Sequence, residues 1–296
     1  MTRDRKTNHL LKIQFTQEMM LTNDTFKDAL AGSKLHLRRG IDLQVCFSPG
    51  KNPALVFLHG GLGNRFNLRS QYEFAQAQGW ATLAYDLAGH GQSSPYRRYS
   101  LGRHHRDLAR LLRHFNIKSP VLFCHSYGVP IGLEFAQKYP VSAIVAIAGG
   151  THNLAPWWEI PLMKFMRWGG RLLYHLPGVQ KLTNLLSTSY HHNTIERFFA
   201  ENPVPTALHS YAALEMFWNY NFFTRHPLPQ NLHIPALIIS AGQDPMFTKQ
   251  MGAELAAHFR NGTHLHFANA GHLVMAECPD LFNQAVGAWL EEQVYY

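Results

Sequence analysis

Val121-Leu122-Phe123-Cys124-His125-Ser126-Tyr127-Gly128 is an apolar, strand-like run that breaks into a serine before a helical pattern begins. It reads as a nucleophile elbow. A serine on so tight a strand-to-helix turn is held in a strained backbone conformation, with its Oγ lifted clear and the next backbone N–H aimed at a reacting carbonyl. Small side chains are required two positions before and two after it. Cys124 stands at the first of these, where the G-x-S-x-G pattern has glycine. Because so short a pattern also arises by chance, the reading depends on the context: an acid, a histidine and a glycine-rich loop at the ends of other strands.

Working outward, residues 54–58 form a continuous apolar run of the kind found in strands buried on both faces. Residues 81–85, 121–123, 143–148, 236–240 and 264–267 read as further strands, and 101–115, 129–138, 249–259 and 280–294 as helices. That alternation predicts an α/β fold with a mostly parallel sheet flanked by helices. Upstream, residues 35–37 and 43–47 alternate around Arg39-Gly40 and predict a hairpin. Four patterns fall at predicted strand ends, where ligands bind in open parallel sheets. His59-Gly60-Gly61-Leu62-Gly63 follows the first strand; its glycines let backbone N–H groups approach a substrate oxygen, and it lacks the Lys-Ser/Thr of a phosphate loop. Asp86-Leu87-Ala88-Gly89-His90-Gly91-Gln92-Ser93 reads as a structural turn in which Asp86 caps backbone N–H groups. Ser126 is the third. The fourth is a pair, Ala241-Gly242-Gln243-Asp244-Pro245 and Ala270-Gly271-His272. A serine hydroxyl needs a base to take its proton, and the base needs a carboxylate to fix its tautomer. His272 and Asp244 supply those groups in the order Ser, Asp, His.

Between residues 151 and 232 the strand–helix rhythm stops. This stretch is helical in flavour, interrupted by Pro and Gly, and rich in aromatic residues, among them Trp157, Trp158 and Trp218. It predicts an inserted helical lid over an apolar pocket, with those three tryptophans as substrate contacts; the alternative is that the rings glue the insertion to the main domain. The expected organisation is an N-terminal extension over 1–32, a core formed by 33–150 and 233–296, and the lid at 151–232.

These motifs together resemble the α/β-hydrolase family, from about residue 34 to the C-terminus. His125-Ser126-Tyr127-Gly128-Val129 and Gly271-His272-Leu273-Val274-Met275-Ala276-Glu277-Cys278-Pro279 are similar to the lidded, esterase-like abhydrolase-domain proteins. The resemblance implies Ser126 as nucleophile, His272 as general base, Asp244 as orienting acid, and the N–H groups of Gly61 and Tyr127 as the oxyanion hole. It implies a serine hydrolase that cleaves an ester or related acyl bond of a small, apolar substrate without a cofactor. Amide, thioester and carbon–carbon bond hydrolysis use the same groups. A non-catalytic binding or scaffold protein is the reading from a different class.

Composition narrows the partners. Of 296 residues, 46% are hydrophobic and 16% charged, which fits a globular chain. The net charge of +8 is spread thinly and no nucleic-acid-reading motif accompanies it, so no nucleic-acid partner is expected, while the basic charge and aromatic lid permit transient membrane contact. The pairs His104-His105 and His191-His192 and the His264-x-His266 spacing lack completing ligands, so no metal site is expected. Cys46, Cys124 and Cys278 are scattered, no signal-peptide h-region follows Met1, and a reducing, cytoplasmic location is expected.

Overall fold

The sheet is built from strands whose composition follows from how many faces they bury. The computed structural model describes residues 30–149, 192–210, 212–213, 228 and 230–295. Strands β4 (Trp80–Tyr85), β5 (Val121–His125), β6 (Ala143–Ile147) and β7 (Ala236–Ala241) are buried at every position, as is β3 (Lys51–Leu58) from Ala54 on. Helices cover both faces, so apolar side chains are needed at consecutive positions. β1 (Ser33–Arg38) and β2 (Ile41–Ser48) form the expected hairpin, and β2 keeps a buried Ile41, Leu43 and Val45 against half-buried Asp42 and Gln44. β8 (Gly262–Phe267) closes the far edge and is partly exposed.

The strand order is β1-β2-β4-β3-β5-β6-β7-β8. β1, β2 and β4 pair antiparallel, and every pairing from β4 through β8 is parallel. From β3 the chain runs to β4 on one side, then crosses back to β5 on the other. The order therefore reverses at the carboxyl ends of β3 and β5, where a crevice opens in sheets of this kind.

Alternation along each strand sends side chains to two cores. Val56, Leu58, Leu122, Cys124, Ile144 and Ala146 share one with helix α2 (Leu101–His114) and helix α3 (Gly128–Ala136). Leu55, Phe57, Val121, Phe123, Val145 and Ile147 share the other with α1 (Arg69–Ala77) and α7 (Pro279–Gln293). α7 shows why a helix forms and docks there: Pro279 sits in its first turn, Asp280 favours the positive end of the dipole, and Phe282, Val286, Trp289 and Leu290 make one apolar stripe. The remaining helical pieces are a 3-10 turn at Arg65–Leu68, α4 (His192–Ala200), α5 (Lys249–Ala256) and the single turn α6 (Val274–Glu277). No described helix is long and apolar enough to cross a membrane.

Candidate active site

Ser126 lies at the end of β5 with φ at +46°, in the left-handed region that costs a non-glycine residue about 1 to 3 kcal/mol. Two hydrogen bonds hold it there. Its N–H donates to the Ile147 carbonyl at 2.9 Å, and its own carbonyl accepts from Val129 N–H at 2.9 Å, which starts α3. Ser126 is half-buried among buried neighbours. Gly128 is required because a Cβ there would collide with the Leu58 carbonyl, so the elbow helix can pack onto the end of β3.

Cys124 at the first small position is accommodated from the facing helix. Its side chain is fully buried, burial pushes its thiol well above the ordinary cysteine range, and a Cβ on Gly132 would collide with its sulfur. The extra atoms at 124 are thus offset by glycine one turn into α3. A thiol so buried and so reluctant to ionise is a packing group.

Asp244 follows β7 and His272 follows β8. Their loops are joined by Gln243 N–H donating to the Ala270 carbonyl at 2.9 Å. His272 Nδ1 donates to Asp244 Oδ2 at 2.8 Å, while Asp244 Oδ1 accepts from the N–H groups of Met246 (2.8 Å) and Phe247 (3.1 Å). Burial alone would push the Asp244 carboxyl up; the neighbouring His272 and those N–H groups outweigh it and hold the carboxyl below its ordinary range. With Nδ1 carrying the shared proton, Nε2 is the lone pair left for proton transfer. The Phe247 ring stacks on the imidazole at 5.7 Å, and Glu277 Oε2 accepts from Gly271 N–H at 3.0 Å, fixing the backbone just before His272. No hydrogen bond among the described residues joins Ser126 Oγ to His272.

The glycine loop closes on the elbow from the β3 side. A Cβ on Gly60 would stand 3.4 Å from Ser126 Cβ and 2.6 Å from His125 Nδ1, so residue 60 lies directly against the side chains of His125 and Ser126. Leu62 adopts φ of +60°, and Thr206 Oγ1 donates to its carbonyl at 3.3 Å. Asn64 caps the following turn by accepting from Phe66 N–H, and its amide donates to the Val204 carbonyl at 3.0 Å. Residues 202–206, which belong to the expected lid, are therefore tied to the loop that carries Gly61. Tyr127 is buried, its hydroxyl 3.0 Å from His104 Nε2.

His59 and Asp86 build the floor beneath this loop. His59 Nδ1 donates to the Gly60 carbonyl (2.7 Å) and Nε2 accepts from Leu87 N–H (2.9 Å). Asp86 accepts from Arg65 and Gln92 backbone N–H groups and pairs with the Arg65 guanidinium at 2.7 Å, in keeping with a structural turn. Arg65 also donates to the carbonyls of Leu30 and Ala31, which seats the start of the described chain against the same floor. Burial drives His59 down to about 4 and the adjacent His90 down to about 3, although carbonyl partners favour their charged forms. Unfolded histidine takes up its proton near 6.5, so this contribution to stability is complete above that pH and is lost as pH falls from about 6.5 towards 4. His59 alone accounts for up to about 3 kcal/mol. Thermal unfolding at pH 4.5 is expected well below that at pH 7, with a smaller difference in His59→Gln; equal slopes in the two proteins would refute the assignment.

Trp157, Trp158 and Trp218 lie outside the described residues. Among the described residues no group of three or more His, Cys, Asp or Glu side chains could hold a metal ion. His264 and His266 instead share the Ser240 hydroxyl at 2.8 and 2.9 Å. The roles of Glu277, His59 and Gly132 escape a sequence reading, since none of these residue types predicts its partner.

A family model described as alpha/beta hydrolase fold matches residues 53–279, more than half of the chain. Among curated proteins, the chain is similar to Protein ABHD8 of Bos taurus, 33% identical over 113 residues that cover 36% of this chain and 26% of that protein, so the match spans about a quarter of that relative's length. It is also similar to the uncharacterized hydrolase YugF of Bacillus subtilis, 26% identical over 270 residues, 82% of this chain and 92% of the relative. Among solved structures, a thermophilic esterase from Thermogutta terrifontis superposes with a TM-score of 0.71 at 20% identity, covering 85% of this chain and 94% of that one.

Proposed function

We propose, because the chain belongs to the alpha/beta hydrolase fold family, that it is a serine hydrolase acting on an ester or related acyl bond. The observation that carries this reading is the buried Asp244–His272 hydrogen bond beside a serine held at positive φ. In this reading Ser126 Oγ attacks the acyl carbonyl while its proton passes to His272 Nε2. The oxyanion that forms is met by the N–H groups of Gly61 and Tyr127, donors already fixed before reaction and therefore costing no reorganisation. Collapse of the tetrahedral species passes the proton to the leaving alkoxide and leaves an acyl-enzyme, which water activated by the same imidazole hydrolyses.

The division into an extension (1–32), a core (33–150 and 233–296) and a lid (151–232) belongs to the same proposal. The bonds from Asn64 and Leu62 to residues 202–206 support a lid seated over the glycine loop. Trp157, Trp158 and Trp218 are proposed to contact an apolar acyl or alcohol group. Two measurements test this reading. A fluorophosphonate probe is expected to label the wild-type protein at Ser126, and no labelling of folded protein would favour a non-catalytic binding role. In a chain-length series of chromogenic esters, kcat/KM is expected to rise from short to medium acyl chains; a flat series would remove the apolar pocket from the proposal.

A further inference from the structure

His125 is the last residue of β5, directly before Ser126, and is almost completely buried, at 3% exposure. Its Nε2 lies 3.1 Å from the main-chain carbonyl of His272, and a carbonyl can only accept, so Nε2 carries the proton. Nδ1 is then an acceptor; it is buried without a hydrogen-bond partner among the described residues and faces the position a Cβ on Gly60 would take, 2.6 Å away. The two histidine rings lie 5.0 Å apart at 50°. The ring of His125 is thus wedged between the base loop and the glycine loop, while its backbone continues directly into the serine.

The other restraints on His272 come from elsewhere. Asp244 ties its ring to the loop after β7, and Glu277 ties Gly271 to α6. Neither joins residue 272 to the strand that carries Ser126. The bond from His125 does, because it joins the main chain of residue 272 to the residue preceding Ser126. Burial pushes His125 down to about 3, with the adjacent His272 adding to the effect, so the ring keeps one neutral tautomer throughout the range in which a histidine base works.

We propose that His125 is a positioning residue: its Nε2–H holds the His272 carbonyl and so registers the base against Ser126, with Gly60 leaving room for the ring. This rests on the serine-hydrolase reading above. A displacement of about 1 Å between reacting groups can cost on the order of 100-fold in rate.

His125→Leu keeps an apolar side chain of comparable size without a donor, whereas His125→Gln returns an amide N–H near the Nε2 position. His125→Leu is expected to lose about 10- to 100-fold in kcat on a chromogenic ester with KM within about twofold, and to slow fluorophosphonate labelling in parallel. His125→Gln is expected to recover most of both. If His125→Leu does not fold, His125→Asn takes its place, since its shorter amide cannot reach the carbonyl. Wild-type rates in folded His125→Leu or His125→Asn, or no recovery in His125→Gln, would overturn the positioning role while leaving Ser126 labelled. Failure of the wild-type protein itself to label would overturn the serine-hydrolase reading and this inference with it.

Discussion

Ser126→Ala is expected to lower kcat for ester hydrolysis by on the order of 10^6-fold, equivalent to about 8 kcal/mol of transition-state stabilisation, while leaving the fold intact. The two halves of that result have separate causes. In the proposed mechanism, loss of activity follows from loss of the Oγ nucleophile, whose work neither the Asp244–His272 pair nor the proposed oxyanion donors can take over. Retention of the fold follows from what holds the elbow: the Ile147 carbonyl and Val129 N–H bond to the backbone of residue 126, and alanine offers both groups unchanged. Replacement by glycine sharpens the contrast. At φ of +46° glycine has no Cβ penalty, so Ser126→Gly is expected to be equally inactive yet more stable than Ser126→Ala by about 1 kcal/mol. Thermal unfolding and single-turnover kinetics on the three proteins check both halves. A residual kcat within 100-fold of wild type in either variant would remove Ser126 as nucleophile.

That separation also explains which features can be read from residues alone. The parallel strands are legible because burial on both faces demands unbroken apolar runs, and residues 54–58, 121–124, 143–147 and 236–239 each supply one. The turns that follow them announce themselves by glycine and by Ser126, Asp244 and His272. Helix α1 gives no comparable signal. Its buried face includes Gln71, whose amide donates to the Met275 carbonyl and Asn283, so a polar residue stands where an apolar stripe would be sought. The supports of the site are hidden for a related reason. The His125–His272 bond spans 147 positions and the Gly271–Glu277 bond is six residues long, and neither residue type predicts its partner. The Cys124 departure is the instructive case: it weakens the elbow pattern when the pentamer is read by itself, and Gly132, eight positions on, absorbs it.

Asp244→Asn is expected to be nearly as damaging, with kcat down by on the order of 10^4-fold and the fold preserved. The loop geometry decides this. Oδ1 of residue 244 accepts two backbone N–H groups, from Met246 at 2.8 Å and Phe247 at 3.1 Å. An asparagine must place its carbonyl oxygen there, since its NH2 would meet two donors. The NH2 group is therefore turned towards His272 Nδ1, where the wild-type protein has Oδ2 accepting at 2.8 Å. A donor in that position favours the tautomer with Nδ1 as acceptor and the proton on Nε2, the atom that must take the proton of Ser126. In the proposed mechanism the base is disabled by its own hydrogen bond, with the heavy-atom shape of the side chain unchanged. The carboxylate that would stabilise the imidazolium is lost as well. Proton NMR distinguishes this from a general loss of structure: the downfield resonance of the imidazole Nδ1–H shared with a carboxylate should disappear while the dispersed backbone amide spectrum remains. A kcat within about tenfold of wild type in a folded Asp244→Asn protein would show that another group orients the base, and the assignment of the acid to the loop after β7 would have to be abandoned.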